Sequence, residues 1–143
     1  MNKVNFGKIL MSASVFIYAF IPPLADLVTD THVFHPDWPA HARVHTVWLL
    51  GITTTIGVLA LYLLWGKDSE RVFNTNLSAI LSLCVYGSFF LSASTASLYG
   101  GDLTDQVGGI EDTVLGIELN LFVFSLATLV LFIGWWLRGW KQK

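Results

Sequence analysis

Cysteine is almost missing from this sequence: Cys84 is the only one in 143 residues. One thiol can form no internal disulfide and no dithiol motif, which excludes the quinone-linked disulfide chemistry that small four-helix membrane enzymes perform with paired cysteines. Cys84 falls within an apolar run and is expected to be a small core residue. Charge is scarce as well. Asp, Glu, Lys and Arg make up only 13% of the chain, against about a quarter in ordinary soluble domains, and no basic stripe of the kind that holds nucleic acid is present. Repeats, low-complexity tails and a separate polar domain are all lacking. What remains is apolar, with 54% hydrophobic residues and a mean hydropathy of +0.62. Lipid is the expected solvent for most of the surface.

The apolar residues form four long runs, residues 9–28, 44–65, 77–99 and 113–137. About 20 residues at a rise of 1.5 Å cross a hydrocarbon core of about 30 Å, so each run is long enough to span. The expected fold class is all-α, an integral membrane four-helix bundle in one domain. The first run, preceded by Lys3 and Lys8, is read as a retained span, with a cleaved leader followed by three spans as the alternative. Basic residues near span ends stay on the cytoplasmic side. Lys3, Lys8, Lys67, Arg71, Arg138, Lys141 and Lys143 fall on one side of the predicted bundle, leaving only Arg43 on the other. Both termini are therefore expected in the cytoplasm. The opposite side collects Asp26, Asp30, Asp37, Asp102, Asp105, Glu111, Asp112 and Glu118 along with every histidine.

Without a hydrophobic drive between helices in lipid, small residues should mark the contacts. Span 2 offers Gly51, Thr53, Thr54, Thr55 and Gly57, and span 3 offers Ser78, Ser82, Ser88, Ser92, Ala93, Ser94, Ala96 and Ser97, so these faces are expected to meet. Span 4, rich in Leu, Phe and Val and ending in Trp135, Trp136 and Trp140, is expected to face lipid and anchor at the interface. Pro22 and Pro23 should bend or end span 1 and open a polar pocket at its outer end.

The four histidines, His32, His35, His41 and His45, lie within the single stretch THVFHPDWPAHARVH. His41 and His45 are four apart at the start of span 2 and should share a helix face, continued inward by Trp48 and Ile52. Asp26 and Asp30 repeat that spacing at the end of span 1. Glu118, counted from Glu111, falls about two turns into span 4 with Asn120 nearby, where a carboxylate is costly unless paired, protonated or hydrated. Asp26, His41, His45 and Glu118 are expected to converge, with Tyr99 completing the ring and Trp48, Tyr99 and Asn120 lining a substrate pocket. Arg43 is turned away from the imidazoles, as an interfacial anchor or carboxylate partner.

Three uses of such a cluster stay open. Asp26, Asp30, His41, His45 and Glu118 could hold Zn or non-haem Fe. Membrane desaturases and hydroxylases also carry HxxxH pairs, but with many more histidines, which disfavours a di-iron oxygenase. Alternatively Asp26, His41, His45 and Glu118 are acid–base catalysts on a lipid-like substrate, with Trp48 stabilising a developing cation. The third use is structural, with histidines and acids tying an outer hairpin to the span ends, and this suits His32 and His35 best. The acidic loop of residues 100–112 offers oxygen ligands for Ca²⁺ but lacks EF-hand spacing. Its glycines read better as turns, with Glu111 and Asp112 favourably placed at the positive end of span 4.

At Asp30-Thr31-His32, Pro36, Trp38-Pro39, His41-Ala42-Arg43 and His45 the chain resembles a family of small four-span membrane proteins of unassigned function found in bacteria and fungi. In length, span number and the step from Ala42-Arg43 to Trp48 it is also similar, more loosely, to the ergosterol-biosynthesis scaffold family, from which its extra histidines depart. These resemblances imply a compact four-helix membrane fold acting near isoprenoid or sterol-like lipids, and they assign no reaction. The functional expectation is a membrane protein whose outer pocket binds a metal or acts on such a lipid. The rival is a non-catalytic subunit or scaffold, with membrane lipids and a protein partner or second copy as its contacts.

Overall fold

The computed structural model describes residues 3–30, 32–69, 71–104 and 113–139. Thr31, Asp105, Glu111, Asp112, Trp140, Lys141 and Lys143, which entered the sequence expectations, lie outside the described residues. Helices α1 (Lys3–Ala19), α2 (Ile21–Val28), α3 (Ala40–Trp65), α4 (Val72–Thr95) and α5 (Leu119–Gly139) make up most of the described residues. Strands β1 (Thr113–Val114) and β2 (Ile117–Glu118) pair antiparallel just ahead of α5.

Four segments are long and apolar enough to cross a membrane: Asn5–Val28, Ala40–Trp65, Val72–Leu98 and Leu119–Arg138. Only 17–28% of each apolar window is buried within the protein. The remaining faces carry residues such as Phe16, Leu59, Tyr62, Phe73 and Trp136, whose exposure in water would be costly at this scale, and lipid removes that cost. Three helices start earlier than the hydropathic runs, because polar first turns such as Ala40–Arg43 lower the local hydropathy without preventing helix formation. Span 4 starts later, because residues 113–118 are spent on the hairpin.

Span 1 is broken as its prolines require. Phe20 leaves helical geometry at φ −125°, and the first bond of α2 runs from the Leu24 amide to the Phe20 carbonyl at 3.1 Å. Pro22 and Pro23 thus occupy positions whose N–H groups would have no intrahelical acceptor anyway. The Ala19 carbonyl, which an uninterrupted helix would pair with residue 23, instead accepts the Thr54 hydroxyl of α3 at 2.9 Å. The break costs little because a neighbouring helix satisfies the freed group.

The most extensive contact in the bundle joins α1 to α5. A Cβ added to Gly7 would lie 2.7 Å from the Gly134 carbonyl oxygen, and one added to Gly134 would lie 2.8 Å from that of Gly7. The two backbones touch on one side of α5, while span 4 as a whole keeps the smallest buried share of the four, 17% of its apolar window, in line with the expected lipid exposure. Trp135 is likewise a tie between helices, its indole N–H donating to Asn76 Oδ1 at 2.8 Å, while Trp136 stays exposed. Around this contact lies a core of Met11, Val15, Tyr18, Ala60, Leu64, Tyr86 and Leu131.

The small faces of spans 2 and 3 meet only in part. Ser78 donates to the Ala60 carbonyl at 3.0 Å, but Gly57 and Thr54 face Ala19 of α1, and Gly51, Thr55, Ser88, Ser92, Ser94 and Ser97 are exposed. Buried hydroxyls tie the helices further. Tyr86 donates to the Ser14 carbonyl at 2.7 Å, and the Tyr18 and Ser82 hydroxyls meet at 3.2 Å. Such bonds contribute about 0.6 kcal/mol each on average in a membrane protein, up to about 1.7.

At one end of the bundle Lys8 and Arg138 converge on the turn between α3 and α4. Both are inside helices and buried, not beyond the span ends as expected. Lys8 Nζ donates to Ser69 Oγ at 3.1 Å and lies 5.3 Å from the Trp65 ring centroid, and Arg138 donates to the Ser69 carbonyl at 3.0 Å. The opposite end carries the loop of residues 29–39, and there the helices part.

Candidate functional site

Behind the proline break, between α2, α3 and α4, lies a cavity of about 510 Å³. Its walls are Leu49, Leu50, Ile52, Ile56, Val85, Phe89 and Phe124, with Pro22 at the break and Tyr18, Thr53, Cys84, Ser88, Ser92 and Asp26 supplying polar atoms. The break falls where expected, but the space behind it is mainly apolar, and of Asp26, Asp30, His41, His45 and Glu118 only Asp26 lines it. Two of the four lining hydroxyls are turned back onto backbone, Thr53 donating to the Leu49 and Leu50 carbonyls at 3.1 Å and Ser88 to the Cys84 carbonyl at 2.7 Å, while those of Tyr18 and Ser92 meet the hydroxyls of Ser82 and Tyr99. Asp26 is the one charged residue in the lining. Cys84, expected in the core, is exposed at this wall.

Asp26 is held by an imidazole, though not by either of those expected. His32 Nδ1 lies 2.9 Å from Asp26 Oδ1, and its ring meets Trp38 edge-on at a centroid distance of 5.1 Å. Asp30 does not share a face with Asp26, because α2 ends at Val28 and Thr29 is extended, with its hydroxyl donating to the Ala25 carbonyl at 2.6 Å.

The loop that delivers His32 is clasped by Arg43. Its guanidinium donates to the carbonyls of His35 at 2.8 Å, Trp38 at 3.0 Å and Pro36 at 3.3 Å. The Asp37 amide donates to His35 Nδ1 at 3.2 Å, and Val33 is buried beneath the loop. Of the two roles expected for Arg43, interfacial anchor or carboxylate partner, its bonds go to loop carbonyls and make it a clasp. Three charge-assisted bonds to one segment fix its path better than neutral ones would.

The other predicted site residues stand apart from the cavity lining. His41 and His45 do share one face of α3, with Nε2 atoms 3.0 Å apart, and the His45 ring lies 6.1 Å from that of Trp48. All three are exposed. Glu118 is not two turns into a helix. It closes the hairpin, paired with Thr113, and its carboxylate accepts the Thr104 hydroxyl. Asn120 is exposed in the first turn of α5, and Tyr99 folds back to donate to the Ser92 carbonyl at 2.8 Å, beyond the end of α4. Asp26, His41, His45 and Glu118 therefore fall into three separate pairings. No group of three or more His, Cys, Asp or Glu able to hold a metal ion occurs among the described residues. The acidic loop of residues 100–112, read as turns in preference to a Ca²⁺ site, lies largely outside them.

Comparison with family models, curated proteins and solved structures finds no match to this chain. Its chemistry is argued from its own geometry.

Proposed function

We propose that this protein binds a lipid-like amphiphile, of isoprenoid or sterol-like character, in the cavity between α2, α3 and α4. The observation that carries this is a cavity of about 510 Å³ walled by Leu, Ile, Val and Phe with a single carboxylate, Asp26. Ligand sites commonly measure about 300–1,000 Å³ and pair apolar walls with a few fixed polar groups. An apolar body sits against Leu50, Ile56 and Phe89, and a hydroxyl or amine donates to the Asp26 oxygen left open by His32. Asp26 recognises the head, while His32, Trp38 and Arg43 hold the rim.

Placement in the membrane follows from charge. With Lys8, Lys67, Arg71 and Arg138 at one end and only Arg43 at the other, the termini are cytoplasmic and the loop carrying His32 and Trp38 is on the non-cytoplasmic side. A second reading, a non-catalytic subunit, draws on Gly51 and Gly87, where an added Cβ would meet nothing within 4 Å. These bare helix surfaces suit close approach by another span.

Native mass spectrometry of the detergent-purified protein tests the first reading. The wild type should retain an amphiphile. Ser88→Phe, which fills the cavity, should release it, and Asp26→Asn should weaken its retention. An unliganded wild type after mild extraction, or equal retention by Ser88→Phe, overturns the proposal. For the second reading, crosslinking in native membranes should yield one dominant partner complex, and a free monomer counts against it.

A further inference from the structure

We propose that His41 and His45 form a two-imidazole site for a borderline divalent transition ion such as Cu²⁺, Ni²⁺ or Zn²⁺, separate from the lipid cavity. Both residues lie in the first turns of α3, which begins at Ala40, and their spacing of four puts them on one face. Their Nε2 atoms point at each other across 3.0 Å, with ring centroids 4.6 Å apart and planes at 80°. Metal–imidazole bonds of about 2.0–2.1 Å at a tetrahedral angle require the two nitrogens to stand about 3.3–3.4 Å apart. The pair is a few tenths of an ångström from that span. Both side chains are exposed, so the rings can open without disturbing the core.

A hydrogen bond across this 3.0 Å separation requires one Nε2 to donate and the other to accept, roles that the tautomers decide. Binding requires the donor ring to carry its proton on Nδ1 instead, leaving two Nε2 lone pairs for the ion with no net proton released. Imidazole is a good ligand for Zn, Cu and Ni, and affinity at such nitrogen sites follows the order in which Cu²⁺ binds most tightly. No third His, Cys, Asp or Glu completes a set among the described residues. The remaining coordination positions are therefore left to water or to a donor from outside the chain. The positive end of the α3 dipole works against a cation here, which makes the site an exchangeable one and not a closed structural centre.

The test is titration of the untagged, purified full chain with Cu²⁺ and Ni²⁺ against a chromophoric competitor, with the paramagnetic resonance spectrum of the Cu²⁺ form as a second readout. Loss of even an outer partner of a metal ligand costs about 10–100-fold in affinity. His41→Ala and His45→Ala should each weaken binding by at least the lower end of that range, whereas His35→Ala should not. The Cu²⁺ spectrum should show coupling to two nitrogens in the wild type and to fewer in each variant. Because the side chains are exposed, the variants should elute as the wild type does and keep the same co-purified lipid, so the result is independent of the cavity proposal. Equal affinity in the wild type and the His41→Ala/His45→Ala double variant, or a wild-type spectrum with a single nitrogen donor, overturns the site.

Discussion

The two ends of this bundle solve the packing of apolar helices in opposite ways. Where Gly7 meets Gly134, the backbones of α1 and α5 touch and leave no room for a single added carbon. Lys8 and Arg138 seal that end by converging on Ser69. Behind Pro22 the helices part, and large side chains such as Leu50 and Phe89 surround a cavity instead of interlocking. Lipid tails are as apolar as the side chains, so close approach here depends on small residues and interhelical hydrogen bonds. Where glycines face glycines the bundle closes; where prolines turn a helix aside, space remains and a loop held by Arg43 forms its rim.

The comparison is broken most severely at its tight end. Gly134→Val puts three carbons into the Gly7 backbone, which has nowhere to move, and overpacking of this kind costs about 1–3 kcal/mol or more. The thermal midpoint in detergent should fall sharply, and an unchanged midpoint would mean that α1 and α5 are not in backbone contact. At the open end Arg43→Ala removes hydrogen bonds from a charged donor, a class worth about 1.5–3 kcal/mol, but from a surface loop. Faster hydrogen exchange confined to residues 35–38 is expected, with exchange at the α1–α5 contact unaltered.

Smaller changes sharpen the contrast. Tyr86→Phe deletes the hydroxyl bonded to Ser14 and should cost about 0.6–1.7 kcal/mol in a denaturant titration. Thr54→Val strips the Ala19 carbonyl of its donor and should cost about 0.6 kcal/mol, with faster exchange of the amides of α2. Gly51→Ala should leave the isolated protein's stability within about 1 kcal/mol, since its added methyl meets nothing. A large loss from Gly51→Ala would show a contact that the isolated chain does not make.

Much of the fold was legible because it depends on one segment at a time. Span number follows from apolar run length, the break at Pro22 from a missing N–H, and the shared face of His41 and His45 from helical spacing. Contacts that join segments were hidden. Gly7 and Gly134 are lone glycines in different helices, and nothing local says that they meet. His32 reaches Asp26 only because α2 stops at Val28 and Arg43 gathers the following loop, so proximity crosses a helix end that spacing rules cannot carry. Glu118 was misplaced because the Leu115-Gly116 turn, with φ of 57° and 77°, lacks the Asn-Gly or Asp-Gly signal of a two-residue hairpin. Tyr18 and Ser14 gave no signal as partners, being ordinary residues in an apolar run, and Ser82, marked as a contact residue toward span 2, meets Tyr18 of span 1 instead.

Photo-crosslinking tests the central claim most directly. A photoreactive sterol or isoprenoid alcohol is added to native membranes, and the modified residues are mapped by peptide mass spectrometry. The account predicts adducts concentrated at Leu49–Ile56 of α3 and Cys84–Ser92 of α4 and suppressed by Ser88→Phe. Adducts confined to outward residues such as Leu59, Tyr62 and Phe73, unaffected by Ser88→Phe, would contradict it.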